Sequence, residues 1–128
     1  TPFNDLSDSN PQEVFGYLIE QLNQRGIGFI HMIEGSTGGD RNVPGFDYGW
    51  ARKTFKGTYI VNNGYTREMA INALETGWAD AVSFGRAYIA NPDLVQRLKM
   101  NAPLAEGNPQ TYYAPGPEGY IDYPSLTA

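Results

Sequence analysis

The sequence predicts an α/β protein of consecutive parallel strand–helix units, and three observations lead there. Short runs rich in β-branched and aromatic residues alternate with longer stretches of helical periodicity. The runs read apolar on both sides, as strands of a parallel sheet do. The last two of them end in glycine-containing turns that open onto helix starts, Asn62-Asn63-Gly64 and Phe84-Gly85-Arg86.

The elements follow in order. Residues 1–10 form a loop rich in Asn, Asp and Ser; with no Met at its start, either the Met was removed or the chain was cut from something longer. Asn10-Pro11 starts a helix, with Asn10 as N-cap, Pro11 in the first position and Glu13 in the third. Val14, Phe15, Leu18, Ile19 and Leu22 give it one apolar stripe, and Gly26 ends it. Phe29 to Ile33 is a buried strand. His31 within it is expected to be a buried, hydrogen-bonded structural residue rather than a catalytic one. The loop from Gly35 to Gly45 either lines a substrate mouth or is a solvated connection. Asp47 caps a short helix, Tyr48 to Phe55, and Tyr59 to Val61 is the second strand. Thr66 caps the helix Arg67 to Thr76, which turns Met69, Ala70, Ala73 and Leu74 inward. Asp80 to Phe84 is the third strand. Asn91-Pro92-Asp93 starts a helix with Leu94, Val95 and Leu98 inward. Residues 11–100 thus hold a helix and three βα units. Residues 101–128, dense in Pro, Gly and Tyr, form an ordered C-terminal tail that cannot be a regular helix.

Composition excludes several classes of function. With 128 residues, 41% apolar and 18% charged, the chain is of single-domain size and can bury a core. A net charge of −5 argues against nucleic acid or an anionic membrane as partner. The absence of Cys and the single His argue against a metal site, and no membrane span or signal peptide is evident. A cytoplasmic protein fits these features.

The two turns carry the chemistry. Glycine lets backbone N–H groups approach a ligand, and a helix start adds unpaired donors and partial positive charge. Arg86 adds a full charge with a planar fork of donors. Asn63, Gly64, Gly85 and Arg86 could therefore hold a phosphate; the same turns could equally serve only to join strands to helices. Tyr112 and Tyr113 either present rings to a flat ligand or pack on a neighbouring helix.

Three parallel strands leave two bare edges, so the chain looks like part of a larger sheet. In a (β/α)8 barrel the phosphate site is commonly built by the loops after strands seven and eight, and here the glycine turns follow the last two strands. The fold expected is the C-terminal part of a (β/α)8 barrel, strands six to eight with their helices, completed by a second chain.

The segments F-I-H-M-I-E, V-N-N-G-Y, F-G-R-A-Y-I-A-N-P-D-L-V-Q-R-L and T-Y-Y-A-P-G-P-E-G-Y-I-D-Y-P, in this order, closely resemble the C-terminal part of the old yellow enzyme family. The resemblance spans the chain. It implies a flavin-dependent ene-reductase on a (β/α)8 barrel, in which residues 1–10 are the loop after strand five. By the resemblance, Asn63-Gly64 and Gly85-Arg86 hold the FMN phosphate, Tyr112 lies against the flavin, and Tyr113 borders the substrate opening. The loop from Gly35 to Gly45 borders the substrate cavity, with Gly, Ser and Thr where better-known members often place an aromatic residue. The chemistry implied is hydride transfer from NADPH through FMN to an activated alkene. The pair that binds the electron-withdrawing group, the proton-donating tyrosine and the residues that tune the flavin all precede Thr1 in the family's order. No catalytic residue is expected in this chain, and His31 is not the substrate-binding histidine. The expected partner is a complementary N-terminal barrel fragment with strands one to five, about 200 residues by the usual barrel size. The alternatives are a stand-alone phosphate- or flavin-binding α/β module without catalysis, or a chain that pairs its strand edges with copies of itself.

Overall fold

The computed structural model describes residues 8–126, which divide into two compact units, the first running to Ser83 and the second starting at Phe84. The first unit opens with α1 (Pro11–Gln24) and continues through β1 (Phe29–Ile33), α2 (Tyr48–Thr54), β2 (Thr58–Asn62), α3 (Arg67–Glu75) and β3 (Ala81–Val82). The strands form one parallel sheet in the order β1-β2-β3, with His31 opposite Ile60 and Ile60 opposite Ala81. Parallel neighbours joined through helices are what the alternating pattern requires.

The caps read from the sequence are present. Asn10 accepts from the Glu13 N–H and its amide donates to the Glu13 carboxylate at 2.6 Å, a reciprocal pairing that closes the start of α1. Asp47 and Thr66 accept from the N–H groups of Trp50 and Met69, each the third residue of its helix, α2 and α3.

The sheet buries one face. Ile30, Met32, Tyr59, Val61 and Val82 point to the core, where Ile19 of α1, Ala51 of α2, Phe55 and Ala73 of α3 meet them. Gly57 lets the chain enter β2 against β1, because a Cβ there would meet the Gly28 carbonyl oxygen at 2.5 Å. On the opposite face His31, Ile60, Asn62 and Ser83 are exposed or half-buried.

Several expectations are corrected here. His31 is hydrogen-bonded, to Ser83 Oγ at 2.7 Å, but exposed, because strand alternation puts it on the uncovered face. Leu74 is 47% exposed, because the small residues Ala70 and Ala73 supply the packed face of α3. Val14 and Leu18 of α1 are also exposed, which leaves Ile19 and Gly16 as its buried residues. The third strand is shorter than Asp80 to Phe84. Ladder bonds still run from Asp80 N–H to Tyr59 and from Ser83 N–H to Val61, but the Asp80 carboxylate is taken up by Tyr59 N–H and Arg52. Residues 1–7, most of the predicted N-terminal loop, lie outside the described residues.

In the second unit the glycine turn opens α4 (Arg86–Ala90), and the start expected at Asn91-Pro92-Asp93 opens a separate helix, α5 (Leu94–Met100). Pro92 is the reason, since the residue before a proline is pushed out of the helical region, and Asn91 has φ −133° and ψ 83°. The buried Asn91 amide turns the break to use. It donates to Ala87 O and Ala105 O and accepts from Ala105 N–H, closing α4 and pinning the start of the tail. Arg97, 6% exposed, holds Asp93 at 2.7 Å and donates to the carbonyls of Pro103 and Pro124. Val95 points outward, 54% exposed, rather than inward. The tail has no regular elements, yet Asn108 N–H donates to Tyr123 Oη and Leu126 N–H to the Asp93 carboxylate. No helix among the described residues is long and apolar enough to cross a membrane.

The Asp93 clasp has an acid limit. The Arg97 hydrogen bond, then the Leu126 N–H, hold its carboxyl below the ordinary 3.8. A depressed folded pKa means that the contribution is complete above the ordinary value and lost as pH falls through the folded one. Hydrogen exchange at Leu126 should therefore accelerate only below the usual carboxylate range, and Asp93→Ala, which removes the acceptor, should make that amide fast at every pH.

Candidate functional site

The carboxyl ends of the strands carry the polar residues of the first unit, and a buried carboxylate organises them. Glu34, next after β1, is 3% exposed. Its Oε2 accepts from Arg41 Nη2 at 2.7 Å and from Tyr65 Oη at 2.5 Å, and its Oε1 from Trp78 Nε1 at 2.7 Å. The Arg41 guanidinium lies 4.0 Å from the centre of the Tyr65 ring. One charge thereby ties the loop after β1, the turn after β2 and the segment before β3. A buried charge is tolerable only when paired and hydrogen-bonded in this way. Its field reaches two phenols. Burial and the Glu34 hydrogen bond push Tyr65 up to about 12, and burial, then the Glu34 charge, push Tyr59 up as well.

The turn after β2 lies beside this carboxylate. Asn63 has φ 106° and Gly64 φ 65°, a region that costs a non-glycine residue unless its surroundings hold it there. The Asn63 carboxamide is what holds it: Nδ2 donates to Glu34 O at 2.6 Å and to Ser36 O at 2.8 Å, and Oδ1 accepts from Gly38 N–H at 3.1 Å. Gly64 is exposed, with no atom within 4 Å of where a Cβ would stand. The sequence singled out Asn63 as a ligand contact. Its side chain is committed inside the protein, with both amide donors and the oxygen engaged.

The loop from Gly35 to Gly45 is held at its root. Gly35 N–H donates to Tyr48 Oη, and Ser36 N–H donates to Asp40 O. On the uncovered face of the sheet, Asn62 Nδ2 donates to both Ser83 O and Ser83 Oγ at 2.8 Å, and His31 joins the same hydroxyl. This polar row was not singled out from the sequence. The alternation of His31 with Met32 and of Asn62 with Val61 was the signal that could have found it.

In the second unit, Gly85 opens α4 with no side-chain cap and with open space around its Cβ position. Arg86 is exposed and has no ion-pair or hydrogen-bond partner among the described residues. Tyr112 is half-buried, its ring against Gly107, whereas Tyr113 is 98% exposed. The pair expected to act together is thus split between packing and exposure. No group of three or more His, Cys, Asp or Glu among the described residues could hold a metal.

Consecutive parallel βα units with polar strand ends define the class as an α/β fold built on a small parallel sheet. No protein-family model matches the chain. It is 41% identical to "Putative 12-oxophytodienoate reductase 5" of Oryza sativa subsp. japonica over 131 residues, covering 97% of this chain and 34% of the relative. It is 40% identical to "Probable flavin mononucleotide-dependent alkene reductase" of Leishmania infantum, covering 97% of this chain and 33% of that one. Among solved structures, the old yellow enzyme homologue from Zymomonas mobilis superposes with a TM-score of 0.86 at 42% identity, over 93% of this chain and 34% of that one. Morphinone reductase in complex with tetrahydroNAD gives 0.87 at 37% identity, over 98% and 33%. The chain belongs to the old yellow enzyme family and corresponds to a C-terminal portion of its members. It spans about a third of the length of the relatives it matches.

The Glu34 centre makes two expectations. Glu34→Gln, which strands Arg41 without its counter-charge, should cost about 3 kcal/mol of stability, read from urea unfolding by tryptophan fluorescence. The Tyr65 pKa is raised on folding, so the stability its neutral phenol confers is complete below pH 10.0 and lost as pH rises through about 12. Tyr65→Phe should remove that alkaline step from the unfolding profile.

Proposed function

We propose that this chain is the FMN-binding C-terminal part of an NAD(P)H-dependent ene-reductase acting on enones and related electron-poor alkenes. It works when a polypeptide carrying barrel strands one to five completes the ring. The observation that carries the reading is the match across nearly the whole chain to flavin-dependent alkene reductases, combined with a sheet that, among the described residues, leaves one face and the β1 edge uncovered.

The residues fit a flavin phosphate. Gly64 and Gly85 leave their Cβ directions open, and Arg86 carries a guanidinium with no internal partner among the described residues. In this reading, the Asn63-Gly64 and Gly85-Arg86 turns each offer donors to the phosphate, Arg86 as a charged fork. Tyr112 lies against the flavin, and the exposed Tyr113 ring borders the substrate opening. FMN, when bound, supplies the hydride transfer between the nicotinamide and the alkene. This chain's part is to bind, orient and exclude water.

The uncovered edge supports completion by further strands. Between α1 and β1 runs a largely apolar groove of about 420 Å³, lined by Phe15, Leu18, Leu22, Ile30, Met32 and Phe46 among others. A crossover helix expects a parallel strand before it, beside the strand that follows it. In this reading, barrel strand five fills that place.

The test combines this chain with the part of the Zymomonas mobilis homologue that precedes the matched region. The mixture should turn yellow with retained FMN and reduce 2-cyclohexenone with NADPH, and neither piece should do so alone. A stoichiometric mixture that retains no flavin would overturn the proposal; this chain binding FMN unaided as a folded monomer would favour a stand-alone module. In the working complex, Arg86→Ala should raise the FMN Kd about 10- to 100-fold, the value of one charge-assisted phosphate contact, as read by flavin fluorescence.

A further inference from the structure

The Asn63 carboxamide is 5% exposed with its residue, and both its N–H donors and its oxygen are spent on three backbone groups of the segment from Glu34 to Gly38. Each bond crosses from the turn after β2 to the loop after β1, at distances of 2.6, 2.8 and 3.1 Å. The main chain beneath it sits at φ 106°, where a side chain other than hydrogen is unfavourable. Nothing about the local turn demands an amide there; glycine would adopt the conformation more easily. The side chain at this position therefore serves the connection it makes. Gly64 follows directly, exposed and at φ 65°.

We infer that Asn63 is a positioning residue for anion binding: its carboxamide clasps the Glu34–Gly38 segment to the end of β2 and so fixes the orientation of the Gly64 backbone, without touching the ligand through its own side chain. The inference rests on the FMN reading above and deepens it. A phosphate held by backbone donors needs those donors fixed beforehand, since each one left to reorient spends binding free energy on ordering. The buried Glu34 carboxylate reinforces the clasp from the other side. It fixes Tyr65, the residue after Gly64, while its own carbonyl receives the Asn63 amide. Gly64 is thus flanked by two residues that are each anchored to Glu34.

The consequence is specific to phosphate. Losing the clasp should weaken FMN, which carries the phosphate, and leave riboflavin, which lacks it, nearly unchanged. Asn63→Gly is the informative variant, because it keeps the backbone at ease at positive φ and removes only the carboxamide. Asn63→Asp is the second: it retains an acceptor for Gly38 N–H and loses both donations to Glu34 O and Ser36 O. Both are measured in the assembled complex with FMN and riboflavin as probes, by quenching of flavin fluorescence, with circular dichroism and size-exclusion checks of assembly.

For Asn63→Gly the FMN Kd should rise about tenfold, the order of one misplaced hydrogen bond, with the riboflavin Kd within about twofold of the parent. Asn63→Asp should shift in the same direction. Equal losses for both flavins, no loss for either, or failure of both variants to assemble would overturn the inference and leave Asn63 a residue of the scaffold. A parent complex that binds FMN no better than riboflavin would instead defeat the phosphate reading itself, a result distinguishable before any variant is made.

Discussion

The first unit depends on how one buried negative charge is satisfied. Glu34 meets a guanidinium, a phenol and an indole, and each donor comes from a different connection between elements. The carboxylate cannot be removed from water without them, and they have no equivalent partner without it. Loops that would otherwise be free to wander are thus drawn to a common point at the ends of the strands. The price is rigidity at that end, and rigidity is what a site built from backbone donors requires.

The sheet above that centre is asymmetric. Its covered face packs Tyr59 and Val61, both fully buried, against three helices. Its other face carries the His31–Ser83–Asn62 row, with Ile60 in register beside His31. On that face the polar side chains pair with one another, as polar groups among half-buried apolar ones require. In the second unit, two buried polar side chains work beside the buried Ala90 and Leu94. Asn91 and Arg97 hold the tail through its carbonyls, because a Pro- and Gly-rich segment has no ladder or helix of its own to satisfy them.

Most of the element pattern was legible in the residues. Asn10, Asp47 and Thr66 cap the helices that the periodicity marks out, and the apolar runs at Phe29 and Tyr59 are strands. The glycine turns with Arg86 were legible because small residues and a cation at strand ends are local facts. The role of the Asn63 side chain was not, because its three partners lie 25 to 29 residues away in the chain. The Glu34 centre escaped for the same reason: Trp78 reaches it from 44 residues away. The exposure of His31 escaped because an apolar run looks alike whether one face or both are covered.

By itself, then, the sequence determined the order of strands and helices, their caps, the helix start at Asn91-Pro92-Asp93 and the family resemblance, all of which are written in neighbouring residues and depend on backbone sterics and periodicity. Only the tertiary structure decided which face of each strand is covered, which polar side chains are spent on holding the protein together and which, like Arg86, are left open to solvent. Those depend on distances between residues far apart in the chain, and a buried polar group's partner is set by where the folded backbone brings a donor within reach.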